Sequence, residues 1–340
     1  MQSKKLTFLG QFLLLLATIV WGTSFFILKE TIELVPAFYV LTLRFLTSGL
    51  VLFFVFIKTN LKTDKKTFLQ GLILGLCLSG AYGFQTVGLG YTTPARNAFL
   101  TSVYSMMVPF MMWAFFKKKP KIYNVVSAVL CVLGIGFVAL SGESDKASNA
   151  FLGNLLTLIC AIFYALQIIF INKFQSEPKL IENKGDGVFV NGAEDAKQDS
   201  GGFYKTIQLL TVELLTVGAV SALISACYHL PVSGGAAFKL SGGQILKIAY
   251  LALLCTLGAQ MMQIFGQKLV SANQASLILS LEAVFGTFFS VLFGAEKLTA
   301  FLIIGFIIVF IAVIINETEF DFKKIFKKRG DNKGSAQKSR

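Results

Sequence analysis

Long apolar runs broken by short polar punctuation dominate this chain. Ten mostly apolar stretches fall at 7–28, 37–57, 68–87, 97–116, 122–140, 150–171, 205–228, 244–265, 274–294 and 299–315. An α-helix rises 1.5 Å per residue, so about twenty residues cross the ~30 Å hydrocarbon core of a bilayer. Buried helices of soluble proteins usually run shorter and keep a polar face. The pattern therefore predicts an all-α integral membrane protein with ten transmembrane helices and almost no soluble domain. The first stretch follows Lys4 and Lys5 as a secretory signal would, but its apolar core exceeds the roughly 7–15 residues of a signal. It reads as a retained span.

Charge then orients the spans. With the N-terminus in the cytoplasm and sides alternating, 24 of the 31 basic residues fall inside and six outside, leaving Arg44 within a span. Positive charge stays on the cytoplasmic side during insertion. Both termini are expected in the cytoplasm, and the protein in the cell membrane. The net charge of +13 is then explained by anionic lipid headgroups, above all at the tail, Lys323 to Arg329, at about 1 kcal/mol per basic residue. No nucleic-acid partner is needed. The five cysteines lie in or at the ends of spans without a CxxC pair, and His229 is the single histidine. Neither a metal site nor a disulfide framework is implied, and no cofactor motif appears.

The polar punctuation repeats. The stretch GFQTVGLGYTTPARNAFLTSVYSMMVPF at 83–110 parallels MQIFGQKLVSANQASLILSLEAVFGTFFSVLFGAEKLT at 262–299. Gln85 matches Gln263, Gly88 matches Gly266, and Thr93-Pro94-Ala95 matches Ser271-Ala272-Asn273; beyond Asn97 the alignment opens a gap of about three residues. Five helices per unit is an odd number, so the second unit enters the bilayer upside down, the inverted repeat common in secondary transporters. The expected units are 1–142 and 150–316, with a basic tail at 317–340. A polar segment at 173–204 reads as a cytoplasmic linker whose composition cannot support a core.

These residues carry a family resemblance. WGTSFFILKE at 21–30, LRF at 43–45, GLGYTTPARNAFLTSVYSMMVPF at 88–110, LVSANQASLILSLEAVFG at 269–286 and GAEKLT at 294–299 resemble the EamA-type family of the drug/metabolite transporter superfamily. The resemblance implies two repeats of five helices and places an arginine where Arg44 stands. Glu296-Lys297 fits the family's acidic-basic pair after the ninth helix. The matching place after the fourth holds Lys117-Lys118-Lys119, and Ala283 stands where a proline is typical.

Three formal charges sit well inside spans: Arg44, Glu213 and Glu282. A charge at mid-bilayer costs a few kcal/mol or more, so it faces a partner or a wet cavity. Glu282 is the first candidate proton carrier and Glu213 the second; the alternative for each is a bond to a neighbouring helix. Arg44 is either a substrate contact or a clamp on carbonyls or headgroups, and Glu213 either pairs with it or faces the cavity. Other polar residues form helical stripes: Gln260, Gln263 and Gln267; Tyr82 with Gln85; Tyr164 with Gln167; Trp21 with Ser24. Asn97 opens the fourth helix. Singly, each is an interhelical hydrogen bond of ~0.6 kcal/mol; together they suggest a wet pocket with aromatic walls. Gly71, Gly75, Ser79 and Gly83 make a face for close helix packing, within the chain or in a homodimer.

The expected function is a secondary carrier that moves a small metabolite, such as an amino acid, nucleoside-like compound or drug, by alternating access in the export direction. The chain shows no GxxxxGK[ST] phosphate loop, and a membrane enzyme would need a convergent nucleophile, base or metal set. The alternatives are such an enzyme, or a channel or scaffold.

Overall fold

The computed structural model describes residues 2–117, 119–140, 149–175, 200–228, 240–294, 297 and 299–317. Described secondary structure is helical throughout: α1 (Gln2–Ile32), α2 (Ala37–Val55), α3 (Lys65–Tyr91), α4 (Pro94–Phe116), α5 (Ile122–Leu140), α6 (Ala150–Gln175), α7 (Ser200–Tyr228), α8 (Gly242–Gln267), α9 (Ala272–Leu292) and α10 (Ala300–Glu317). Among the described residues eight are long and apolar enough to cross a membrane; α5 and α10 are apolar helices of 19 and 18 residues. The 176–199 part of the linker, His229, Glu296 and the tail beyond 317 lie outside the described residues.

Polar caps explain why several helices start earlier than hydropathy predicts. Asp64 caps α3, its carboxylate accepting from the Thr67 amide at 3.1 Å. Hydrogen bonds from Thr67 hold that carboxyl below its ordinary range. Thr93 caps α4 with Pro94 in the first turn, where a missing N–H removes no helical bond. Ser271 and Gln274 form a capping box at α9, as Ser241 and Gln244 do at α8.

Two helices are interrupted alike. α4 breaks between Pro94–Thr101 and Tyr104–Phe116, and α9 breaks at Leu281 between Ala272–Ser280 and Glu282–Leu292. In both, the second piece begins ten residues after the first, 104 after 94 and 282 after 272. The element starts thus keep one register across the breaks, and the three-residue gap of the sequence comparison is not needed there. The breaks touch: Ser102 Oγ donates to the Ser280 carbonyl at 3.1 Å. α8 carries a π-helical segment, Leu251–Gly258, which frees carbonyls from the helical ladder. Neighbouring side chains take them up, Ser48 Oγ on Ala252 O at 2.7 Å and Trp21 Nε1 on Cys255 O at 2.8 Å.

Small residues set the crossings. A methyl group on Gly10 would lie 2.9 Å from the Gly266 carbonyl, and one on Gly266 3.0 Å from the Gly10 carbonyl. Gly88 of α3 and Gly153 of α6 approach each other in the same reciprocal way, at 2.9 Å both ways. Between α2 and α7, Gly49 meets Leu215 while Gly218 meets Leu46, with Cβ-to-Cδ2 distances of 2.7 and 2.6 Å. Gly71 and Gly75 pack inside the chain, against Val212 and Thr216 of α7.

Three apolar clusters follow from these contacts. One joins α2, α3 and α7 through Phe45, Leu78 and Leu214. A second centres on α1, α6, α8 and α9 with Leu14, Ile168 and Leu279. The third ties α5 and α10 to α4 and α9 through Cys131, Val309, Phe99 and Ala283. The outer faces keep exposed apolar side chains, among them Phe8, Phe54, Val132 and Leu246, which a bilayer solvates and water does not.

Candidate functional site

A small cavity of about 20 Å3 lies where the broken helices approach α1, α3, α6 and α8. Trp21, Ser24 and Phe25 come from α1, Tyr82 and Gln85 from α3, and Tyr104 from α4. Tyr164 and Ile168 of α6, Gln263 of α8, and Leu279 and Glu282 of α9 complete the lining. That volume holds about one water molecule.

The lining is ordered by hydrogen bonds. Tyr164 OH donates to Gln85 Oε1 at 3.0 Å, and Gln85 Nε2 donates to Thr101 Oγ1 at 3.1 Å. Trp21 is fixed by its bond to the π segment, and Ser24 Oγ by the Trp21 carbonyl at 2.7 Å. The Tyr82 ring stands edge-on to Phe45 and Tyr164, with centroids 4.8 and 5.7 Å away. Glu282 is buried at the start of the second piece of α9, with Tyr104 at the start of the second piece of α4 on the same cavity.

Other sequence candidates form the layer behind. Arg44 is fully buried, donates through Nε to Thr256 Oγ1 at 3.1 Å, and sits 5.3 Å from the Tyr82 ring centroid. Glu213 accepts from Gln167 Nε2 at 2.8 Å rather than pairing with Arg44, and Gln167 Oε1 accepts from Gln263 Nε2 at 3.1 Å. A chain of side chains thus runs from Glu213 to the cavity wall. Asn97 bonds the Gln85 carbonyl at 3.2 Å and Thr157 Oγ1 at 2.8 Å, so it ties α4 to α3 and α6 and does not line the cavity. Gln260 is buried on α8, away from the lining.

Several buried polar atoms here have no protein partner among the described residues: both terminal nitrogens of Arg44, Oε2 of Glu213, Oε1 of Gln263, and both amide atoms of Gln260. Each such group costs about 1–3 kcal/mol, more when charged, unless water or a ligand meets it. This is the chemistry of a site that hydrates or binds. Among the described residues no three His, Cys, Asp or Glu side chains converge as metal ligands.

Sequence reasoning missed Phe25, Tyr104, Ile168 and Leu279. Tyr104 follows the break in α4, and hydropathy carries no signal for a break inside an apolar run.

Apolar helices around a small polar cavity, with charges held inside the bundle, define a multi-pass membrane protein of transporter type. The profile of the EamA-like transporter family matches residues 8–140 and 201–318, and the chain belongs to that family. It is 28% identical over 304 residues to an "Uncharacterized transporter" of Archaeoglobus fulgidus, covering 89% of this chain and 83% of that protein. The "Uncharacterized transporter YrdR" of Bacillus subtilis is 23% identical over 338 residues, covering 96% and 97%. One solved crystal structure superposes with a TM-score of 0.63 at 15% identity, covering 90% of this chain and 96% of that one, a likeness of fold. Family and relatives point to a transporter rather than an enzyme.

Proposed function

We propose that the protein is a secondary transporter built as two inverted five-helix repeats, α1–α5 and α6–α10. It moves a small metabolite across the cell membrane by alternating access, with export as the net direction. The observation that carries this reading is the makeup of the central cavity.

The reciprocal contacts supply a register between the proposed repeats. Gly10 with Gly266 and Gly153 with Gly88 exchange roles when α1 is mapped onto α6 and α3 onto α8. Gly49 with Leu215 and Leu46 with Gly218 exchange when α2 is mapped onto α7. The caps Thr93 and Ser271 map α4 onto α9. In that register eight of the eleven lining residues fall into four pairs: Trp21 with Tyr164, Phe25 with Ile168, Gln85 with Gln263, and Tyr104 with Glu282, while Ser24, Tyr82 and Leu279 map onto residues behind the wall. Arg44 maps onto Glu213. A site lined by matched positions of two inverted units lies on their pseudo-two-fold axis, where access switches from one side to the other in alternating-access carriers.

The ends of the bundle support the same reading. Lys29, at the end of α1, donates to the Leu89 carbonyl at the end of α3 at 2.9 Å. Its mapped position, Asn172 at the end of α6, donates to the Val270 carbonyl beyond α8 at 3.2 Å. Lys247 and Glu30 add an ion pair at 2.6 Å on the first of these ends. Contacts thus draw the helices together at both ends of the bundle, around a cavity too small for a metabolite in this conformation. The substrate is the expected partner, with anionic lipid at the basic tail, and the basic surface needs no nucleic acid.

Purified protein in liposomes tests the proposal against a metabolite library. Saturable flux with counterflow is expected. Unsaturable conductance would make it a channel, and chemical conversion of the solute an enzyme. Inside-out and right-side-out vesicles give the direction.

A further inference from the structure

A second concavity lies on another face of α9 from the central cavity. Its volume is about 410 Å3, against about 20 Å3 for the central one. The walls are Phe8, Phe12 and Leu15 of α1, Leu281 at the break of α9, and Phe310 and Ile314 of α10, with Gln11 as a polar edge. Phe8, Phe12, Phe310 and Ile314 remain substantially exposed, so the groove opens sideways, toward the bilayer. It has the size of a ligand pocket without the convergent polar groups that fix a soluble metabolite.

Charge chooses the occupant. Lys5, exposed, precedes Phe8 by three residues and Phe12 by seven, and Lys4 precedes Phe8 by four. Those spacings put both lysine positions on the groove's face of α1, at its membrane-surface end. Lys5 and Leu15 are ten positions apart, roughly 15 Å along the helix axis, about the depth of one leaflet's hydrocarbon. We infer that the groove is a specific site for one anionic phospholipid, an acyl chain lying between α1, α9 and α10 with its phosphate at the lysine-bearing start of α1, beside Lys5. A second copy of the chain fits less well, because two-fold pairing through this face would bring like charges together. The lipid would touch Leu281, one residue from Glu282, so it braces the break that positions the candidate carrier carboxylate.

Native mass spectrometry of the full chain, purified in detergent and titrated with phosphatidylglycerol or phosphatidylcholine, tests this. Wild type should retain phosphatidylglycerol about ten- to thirtyfold better, the factor expected of two basic side chains at a headgroup. The Lys4→Gln/Lys5→Gln double variant should bring the ratio near one. Leu15→Trp and Ile314→Trp, which fill the groove from different helices, should each abolish retention while the protein still elutes as a folded species. Equal retention of both lipids by wild type overturns the proposal. So does undiminished retention by a folded groove-filling variant, or dimer formation that the tryptophans prevent.

Discussion

Glu282 is the one carboxylate on the central cavity wall, and it stands at a helix break. Glu213 lies behind the wall, joined to it through Gln167 and Gln263. If transport is proton-driven, Glu282→Gln, which keeps shape but cannot ionise, should reduce pH-gradient-driven flux by at least a hundredfold. Substrate binding should remain measurable by calorimetry. Glu213→Gln should have the smaller effect, since its carboxyl reaches the cavity only through two amides. Normal gradient-driven flux in both variants would make the carboxylates structural and the carrier a uniporter or exchanger. At this scale the sequence was half legible. Spacing put Trp21 with Ser24 and Tyr82 with Gln85 on shared faces, and all four line the cavity. Periodicity did not separate Gln263, on the wall, from Gln260, behind it, because residues three apart share a helix face and differ in depth along the axis, which spacing alone does not read.

At the scale of elements, hydropathy gave the helices and missed their irregularities. The breaks in α4 and α9 and the π segment of α8 lie inside runs that are apolar overall, and the polar residues at the breaks, Thr101, Ser102, Ser280 and Glu282, read equally well as interhelical contacts. The glycines were legible as a packing face, yet the crossings they make most closely, Gly10 with Gly266 and Gly88 with Gly153, join helices distant in sequence. These crossings can be tested against a built-in control. Gly88→Ala places a methyl group 2.8 Å from Thr157 Oγ1 and 2.9 Å from the Gly153 carbonyl, whereas Gly90→Ala meets nothing within 4 Å. Overpacking of this kind costs about 1–3 kcal/mol, while alanine in place of an unencumbered helical glycine is neutral or stabilising by up to ~1 kcal/mol. Thermal unfolding in detergent should therefore show Gly88→Ala melting clearly below wild type and Gly90→Ala level with it or above. Equal melting of the two would mean that α3 and α6 do not approach as closely as described.

The whole molecule is governed by two signals that the sequence states separately, hydrophobic length and basic asymmetry. By length α5 and α10, helices of 19 and 18 residues, stand with the 19-residue α2 at the short end of the spans. They pack on each other, Gly134 within 3.0 Å of the Gly305 carbonyl through an added methyl group, and the proposed two-fold treats them as a pair. Whether both cross decides the topology of everything after residue 121. If they do, ten crossings leave both ends and the 173–204 segment on the cytoplasmic side, in agreement with 24 basic residues against six. If α5 lies on the surface instead, α6 to α9 invert and residue 190 faces outward. Single cysteines at positions 3, 190 and 335 of a variant lacking the native five, labelled in intact cells with a membrane-impermeant maleimide, separate these cases. All three should stay unlabelled until the membrane is permeabilised, while a cysteine at position 33, beyond the end of α1, should react at once. Labelling of position 190 from outside would remove the ten-crossing topology, and with it the inverted relation between the two repeats.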